Sequence, residues 1–206
     1  MTIEVWLAFA LASAALLAIP GPTVMLVVSY ALGHGRRSGW ATVPGVTLGD
    51  FTAMTLSLLG AGAILATSAT LFTLLKLVGA AYLVWLGIGL WRSAPAALTT
   101  ERRKGALRDM FFSSYVVTAL NPKGIVFFIA FVPQFIDPEA PALMQFVVLE
   151  ATFLTLAALN TLLWVVMASE MRARFQRPSV LLWAQRIGGS FLIAAGVLTA
   201  FAKRSA

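Results

Sequence analysis

Two carboxylates stand deep inside apolar runs: Asp50 and Glu150 are the only acids well within the hydrophobic stretches of this 206-residue chain. A carboxylate at the middle of a bilayer costs at least about 2.5–3.5 kcal/mol on insertion scales. Such a group faces a cavity or a partner, and it can hold a cation or take up and release a proton. Thr47, Asp50 and Ser57 fall on one helical face, so a polar stripe accompanies the first acid. Lys123 can neutralise an acid or hold a carboxylate. Lys76 sits near the end of another apolar stretch, where a lysine can simply snorkel to the interface. A structural ion pair with Lys123 or Lys76 is the alternative role for either acid, and it is compatible with transport, since a salt bridge can exchange for a substrate. Gln134 and Asn160 are polar residues of the kind that join helices in lipid, with Gln134 also a candidate for the site.

The backbone near these residues is interrupted twice. "IPGP", with Pro20, Gly21 and Pro22, lies deep in the first apolar run, and "NPK", Asn121, Pro122 and Lys123, lies near the middle of the fourth. Proline removes a helical hydrogen bond and disfavours helix in the residue before it, and Gly21 adds backbone freedom. In hydrocarbon, irregular backbone is tolerated only where protein covers it or where it lines a wet cavity. Each interrupted run is therefore expected to be two half-helices, whose N-termini offer N–H groups and a positive dipole end to an anion. The simpler alternative is a proline kink packed by its neighbours.

The elements that must position these residues are hydrophobic helices. The chain is 60% hydrophobic and 11% charged, with a mean hydropathy of +0.89, well outside the range of a soluble domain. The length accommodates about six spans of roughly 20 residues in one membrane domain. The expected segments are about 3–32, 40–66, 71–91, 110–136, 142–169 and 180–202. The N-terminus has no positive n-region and only Glu4 as an early charge, so the first run is expected to stay as a span rather than to be a signal peptide. "GVTLG", from Gly45 to Gly49, has the small-residue spacing that lets two helices approach closely. Trp6, Trp40, Trp91 and Trp183 fall near span ends, where interfacial anchors belong.

With no cysteine and one histidine, His34, in a polar loop, the sequence offers no metal-ligand set or thiol chemistry and few nucleophile–base pairs. No cofactor and no enzymatic activity are expected. The net charge of +7 reads as basic loops on one side of the membrane rather than as a nucleic-acid surface. Arg36 and Arg37, the group Arg92, Arg102, Arg103, Lys104 and Arg108, and the group Arg172, Arg174, Arg177 and Arg186 all fall on one side. These loops are expected to be cytoplasmic and both termini external, with Lys203 and Arg204 weighing slightly the other way.

The chain also resembles itself. Pro22 precedes Asp50 by the same interval as Pro122 precedes Glu150, and "KLVG" from Lys76 has a counterpart in "RIGG" from Arg186. Repeat one would cover about 1–92 and repeat two about 110–206, joined by a cytoplasmic linker of about 93–109. Because three spans is an odd number, the second copy inserts upside down, an arrangement common in secondary transporters. The expected fold is thus all-α and polytopic, with six transmembrane helices in two inverted three-helix repeats, each with a broken first helix.

"IPGP", Gly45 with "LGD" ending at Asp50, "KLVGAAYLVWLGIGLW" and "NPKGIVFFIAFVPQF", in that order, resemble the LysE/RhtB family of bacterial amino-acid exporters. The resemblance implies efflux of amino acids or close derivatives across the inner membrane, coupled to protons as a secondary transporter or antiporter. It does not specify the amino acid. Substrate would meet Pro20, Gly21, Pro22, Asp50, Asn121, Pro122, Lys123 and Glu150, with Thr47, Lys76 and Gln134 as further candidates. Its carboxylate would go to half-helix N-termini and Lys123, and its ammonium to Asp50 or Glu150. An inorganic-ion exporter or a passive channel of the same architecture is the alternative, and a homodimer is compatible with either.

Overall fold

A computed structural model describes residues 1–67, 69–92, 106–137, 140–170 and 178–201. The protein is all-helical, with no strand among the described residues. The first apolar run forms α1 (Ile3–Ala18) and α2 (Pro22–His34), and a short 3-10 segment, Gly35–Ser38, leads into α3 (Gly39–Thr67). α4 (Ala69–Arg92) follows. After the linker come α5 (Leu107–Ala119), α6 (Pro122–Ala130) and a second 3-10 segment, Val132–Phe135. α7 (Ala142–Glu170) and α8 (Pro178–Phe201) complete the chain. The expected hydrophobic segments coincide with these helices to within a few residues. The linker basic residues Arg102, Arg103 and Lys104, the basic group from Arg172 to Arg177, the C-terminal Lys203 and Arg204, and the side chain of Lys76 lie outside the described residues.

Among the described residues, α7 alone is long and apolar enough to cross a membrane, and each of two bent helix pairs meets the same test as a unit. The chain turns by 56° between Ile3–Ala18 and the run beginning at Pro22, and by 43° between Leu107–Ala119 and Pro122–Phe135. Both bends fall at the proline motifs.

Small residues set the closest helix contacts. A Cβ at Gly45 would come within 2.6 Å of the Phe111 carbonyl oxygen, and one at Gly49 within 2.8 Å of the Tyr115 carbonyl oxygen. α3 and α5 therefore lie backbone against backbone and run parallel, as the glycine spacing suggests. α4 and α8 are joined in the same way but antiparallel, with Gly87 against Gly189 and Gly196 against Ala80. α1 runs alongside α7 in the same direction, tied by Trp6 to Thr152 and by Asn160 to Leu17. α3 and α7 are antiparallel, with Gly39 near Val165 and Thr55 bonded to Glu150.

The core gathers where these helices cross. Phe9, Leu16, Met54, Leu83, Phe127, Phe128, Phe153 and Leu192 are fully buried together, with aromatic rings of α6, α7 and the second 3-10 segment in edge and tilted contacts. Much of the remaining surface is apolar: Leu11, Leu56, Leu59, Leu143, Leu159 and Phe201 are exposed, as suits helices solvated by lipid.

Candidate functional site

The two breaks meet beside a cavity of about 40 Å³, room for a few waters. At the first, α1 ends at Ala18, and Ile19 takes an extended conformation ahead of Pro20. Gly21 is also extended, at φ −121° and ψ −170°, a conformation open to any residue. The expectation that Gly21 supplies backbone freedom is therefore corrected. A Cβ there would meet Lys123 Nζ at 3.4 Å, an ordinary van der Waals contact. Pro22 occupies the first turn of α2, where its fixed φ favours helix and its absent N–H costs nothing. Pro122 does the same for α6, preceded by Asn121, whose side-chain oxygen accepts the Lys123 N–H at 3.1 Å. These prolines start half-helices; they do not interrupt continuous ones.

A helix that stops inside the protein leaves carbonyls to satisfy. At the end of α1, Lys123 Nζ donates to the carbonyls of Leu16 at 3.1 Å and Ile19 at 3.0 Å, and Asn160 donates to that of Leu17 at 3.0 Å. An ammonium at a helix C-terminus also meets the negative end of its dipole. Two of the three protons on Lys123 are thus committed to capping α1. The ion pairs of Lys123 with Asp50 or Glu150 weighed from the sequence are not formed, because the ammonium sits on these carbonyls.

On the other side of the break, Thr23 Oγ1 accepts from Asn121 Nδ2 at 3.1 Å and from Thr118 Oγ1 at 3.2 Å, joining the start of α2 to the second break. Thr23, Thr118, Asn121 and Lys123 all line the cavity, and so does Asp50 from α3. Asp50 is 7% exposed, and no described group hydrogen-bonds its carboxylate. α7 contributes Phe153, Asn160, Thr161 and Trp164, while Leu16, Val24, Val27 and Val46 supply apolar wall.

The remaining candidates are placed elsewhere. Glu150 does not line the cavity; its Oε1 accepts from Thr55 Oγ1 at 2.6 Å. Thr55 lies about 7.5 Å along α3 from Asp50 at 1.5 Å per residue. Thr47 bonds the carbonyl of Val43 in its own helix, and Gln134 bonds that of Ala130; neither lines the cavity. Pro20, Gly21, Pro22 and Pro122 shape the cavity without lining it. Sequence reasoning missed Thr23, Thr118 and Thr161. Only Thr23, directly after the proline motif, carried a signal that could have been read.

The breaks border a small cavity that the buried Asp50 carboxylate also lines, with Lys123 on the same cavity and no described group hydrogen-bonded to Asp50. No solved structure matches the chain. A Vibrio cholerae protein described as an uncharacterized membrane protein is 35% identical over 204 residues, covering 98% of this chain and 100% of that one. The homoserine/homoserine lactone efflux protein of Salmonella typhi is 32% identical over 206 residues, covering 100% of both. The leucine efflux protein of Enterobacter sp. (strain 638) is 34% identical over 124 residues, 59% of each. The family model for the LysE type translocator matches residues 14–203. A match of that extent makes this chain a member of the LysE type translocator family, a transporter and not an enzyme.

Proposed function

We propose that the protein exports amino acids or close derivatives across the bacterial inner membrane, driven by the proton gradient, through the cavity between the two breaks. The observation that carries this reading is the buried Asp50 carboxylate, which lines the cavity without a hydrogen-bonding partner. A carboxylate so placed needs a cation or a proton. An amino acid's ammonium meets the first need, and a proton taken from the medium meets the second. Alternating the two on one group couples their movements. The relatives named for homoserine/homoserine lactone efflux and for leucine efflux support a substrate that is an amino acid or a close derivative.

The positive end of α2 is suited to the substrate carboxylate, and the third proton of Lys123 adds charge nearby. Lys123 thereby serves chiefly as the cap of α1. Glu150, held by Thr55, is a structural acid on this reading.

The same reading arranges the helices as six spans in two inverted repeats. α1–α2, α3 and α4 correspond to α5–α6, α7 and α8. The parallel run of α3 with α5 and the antiparallel run of α4 with α8 support the correspondence. The basic loops then face the cytoplasm and both termini face outward. Loading and release require the bundle to open alternately toward each side of the membrane.

Uptake of labelled leucine and homoserine into inverted membrane vesicles, with and without an imposed pH gradient, tests the proposal. Gradient-dependent accumulation is expected. Vesicles that accumulate neither amino acid beyond protein-free controls would overturn it, and flux that only equilibrates would favour a channel.

A further inference from the structure

We infer that the start of α2, centred on Thr23, is a carboxylate-binding cradle, so that the transported species must carry a free α-carboxylate. This rests on the amino-acid reading above and adds to it a selecting residue and a chemical requirement on the substrate.

The donors can be counted. The first backbone bond of α2 runs from the Met25 N–H to the Gly21 carbonyl at 2.9 Å. Pro22 has no N–H, which leaves those of Thr23 and Val24. No side chain caps this end of the helix. At the start of α6, by contrast, Asn121 accepts the Lys123 N–H, so the second break supplies its own cap and the first does not. Thr23 adds a third donor. Its hydroxyl oxygen already accepts from Thr118 and from Asn121, which occupies both lone pairs. The hydroxyl proton is left to donate, and no described group accepts it. Thr23 and Val24 both line the cavity.

Independent observations point to a ligand in that cavity. Asp50, 7% exposed, and Thr161, 4% exposed, line it from α3 and α7, and neither side chain makes a hydrogen bond among the described residues. Donors without acceptors at the helix start and an acceptor without donors at Asp50 match the two ends of a zwitterion. A carboxylate oxygen would complete the three donors of Thr23 and Val24, with the α2 dipole favouring its charge. A lactone or amide presents a neutral carbonyl instead and leaves part of the cradle unpaired, which a buried polar site penalises heavily.

The test uses purified full-length protein in nanodiscs and thermal stabilisation by ligand as the readout of affinity. The probes are L-leucine with L-leucinamide, and L-homoserine with its lactone. The expected result is that each free acid binds at least about tenfold tighter than its neutral-carbonyl partner. Thr23→Val keeps the branched shape but removes the hydroxyl, and is expected to bring that ratio toward one; Thr23→Ser is expected to retain it. A purely structural Thr23, serving only to join the breaks, would weaken acid and amide alike and leave the ratio unchanged. Equal binding of acid and neutral partner by the parent protein would overturn the inference while leaving amino-acid export standing, and so would an undiminished ratio in Thr23→Val. Should Thr23→Val fail to fold, the parent ratios decide. If no probe stabilises the parent, the inference falls together with the reading it rests on.

Discussion

Replacing Lys123 with Met separates a capping lysine from one whose purpose is to bind substrate. The Met side chain fills much of the same space but cannot donate. Two charge-assisted hydrogen bonds are lost, at 3.1 Å to Leu16 and 3.0 Å to Ile19. The Leu16 carbonyl keeps the Ile19 N–H at 3.2 Å, whereas the Ile19 carbonyl has no other donor among the described residues. At about 1.5–3 kcal/mol per charged bond, less the desolvation regained by removing the ammonium, Lys123→Met should cost about 2–4 kcal/mol. Asn160→Leu removes one neutral bond, to Leu17, and should cost only about 1 kcal/mol. Asp50 faces the same cavity and loses its nearby positive charge in Lys123→Met, so adding Asp50→Asn should recover about 1 kcal/mol in a double-mutant cycle. Reversible denaturation in detergent micelles measures all four proteins. A Lys123→Met variant within about 0.5 kcal/mol of the parent would refute the capping role and return the lysine to the substrate.

Gly45→Ala drives a methyl to within 2.6 Å of the Phe111 carbonyl oxygen; α3 and α5 must separate, and a loss of about 2–3 kcal/mol is expected in the same denaturation assay. Pro22→Ala and Pro122→Ala should each insert normally yet export more slowly in whole cells, because each loosens the start of a half-helix; parental rates in both would reduce the prolines to packing kinks. Reporters fused after Arg103 and after Ala140 should read cytoplasmic and external respectively, and the opposite result would reverse the proposed orientation.

Helix extents were legible because hydrophobic runs and their polar interruptions define them directly, and the breaks were legible because proline excludes helical geometry locally. Partners were not. Lys123 reaches carbonyls 104 and 107 residues away, a distance no local pattern encodes. Asp50 and Glu150 look alike by spacing, yet only Asp50 meets the cavity; Glu150 is taken up by Thr55 on a different helix. Thr23 and Thr161 were passed over because hydroxyls in apolar helices usually bond their own preceding turn, as Thr42, Thr47, Thr52, Thr152 and Thr155 do here. That Thr161 makes no such bond is a property of the packed structure. A glycine between prolines suggests unusual backbone, whereas Gly21 is extended at φ −121° and ψ −170°, as any residue can be.

Asp50→Asn tests the central claim most directly, because it keeps the size and polarity of the side chain while removing its charge and proton site. The measurement is labelled amino-acid flux in inverted vesicles, taken both against a concentration gradient under an imposed pH gradient and as substrate-for-substrate exchange. Each charge coupled across 100 mV is worth about 2.3 kcal/mol, so losing one coupled proton removes most of a tenfold or greater accumulation. The expected result is that Asp50→Asn no longer concentrates substrate, with any remaining flux confined to exchange. Accumulation equal to that of the parent, at the same pH gradient, would contradict the assignment of Asp50 as the group that alternates between proton and substrate.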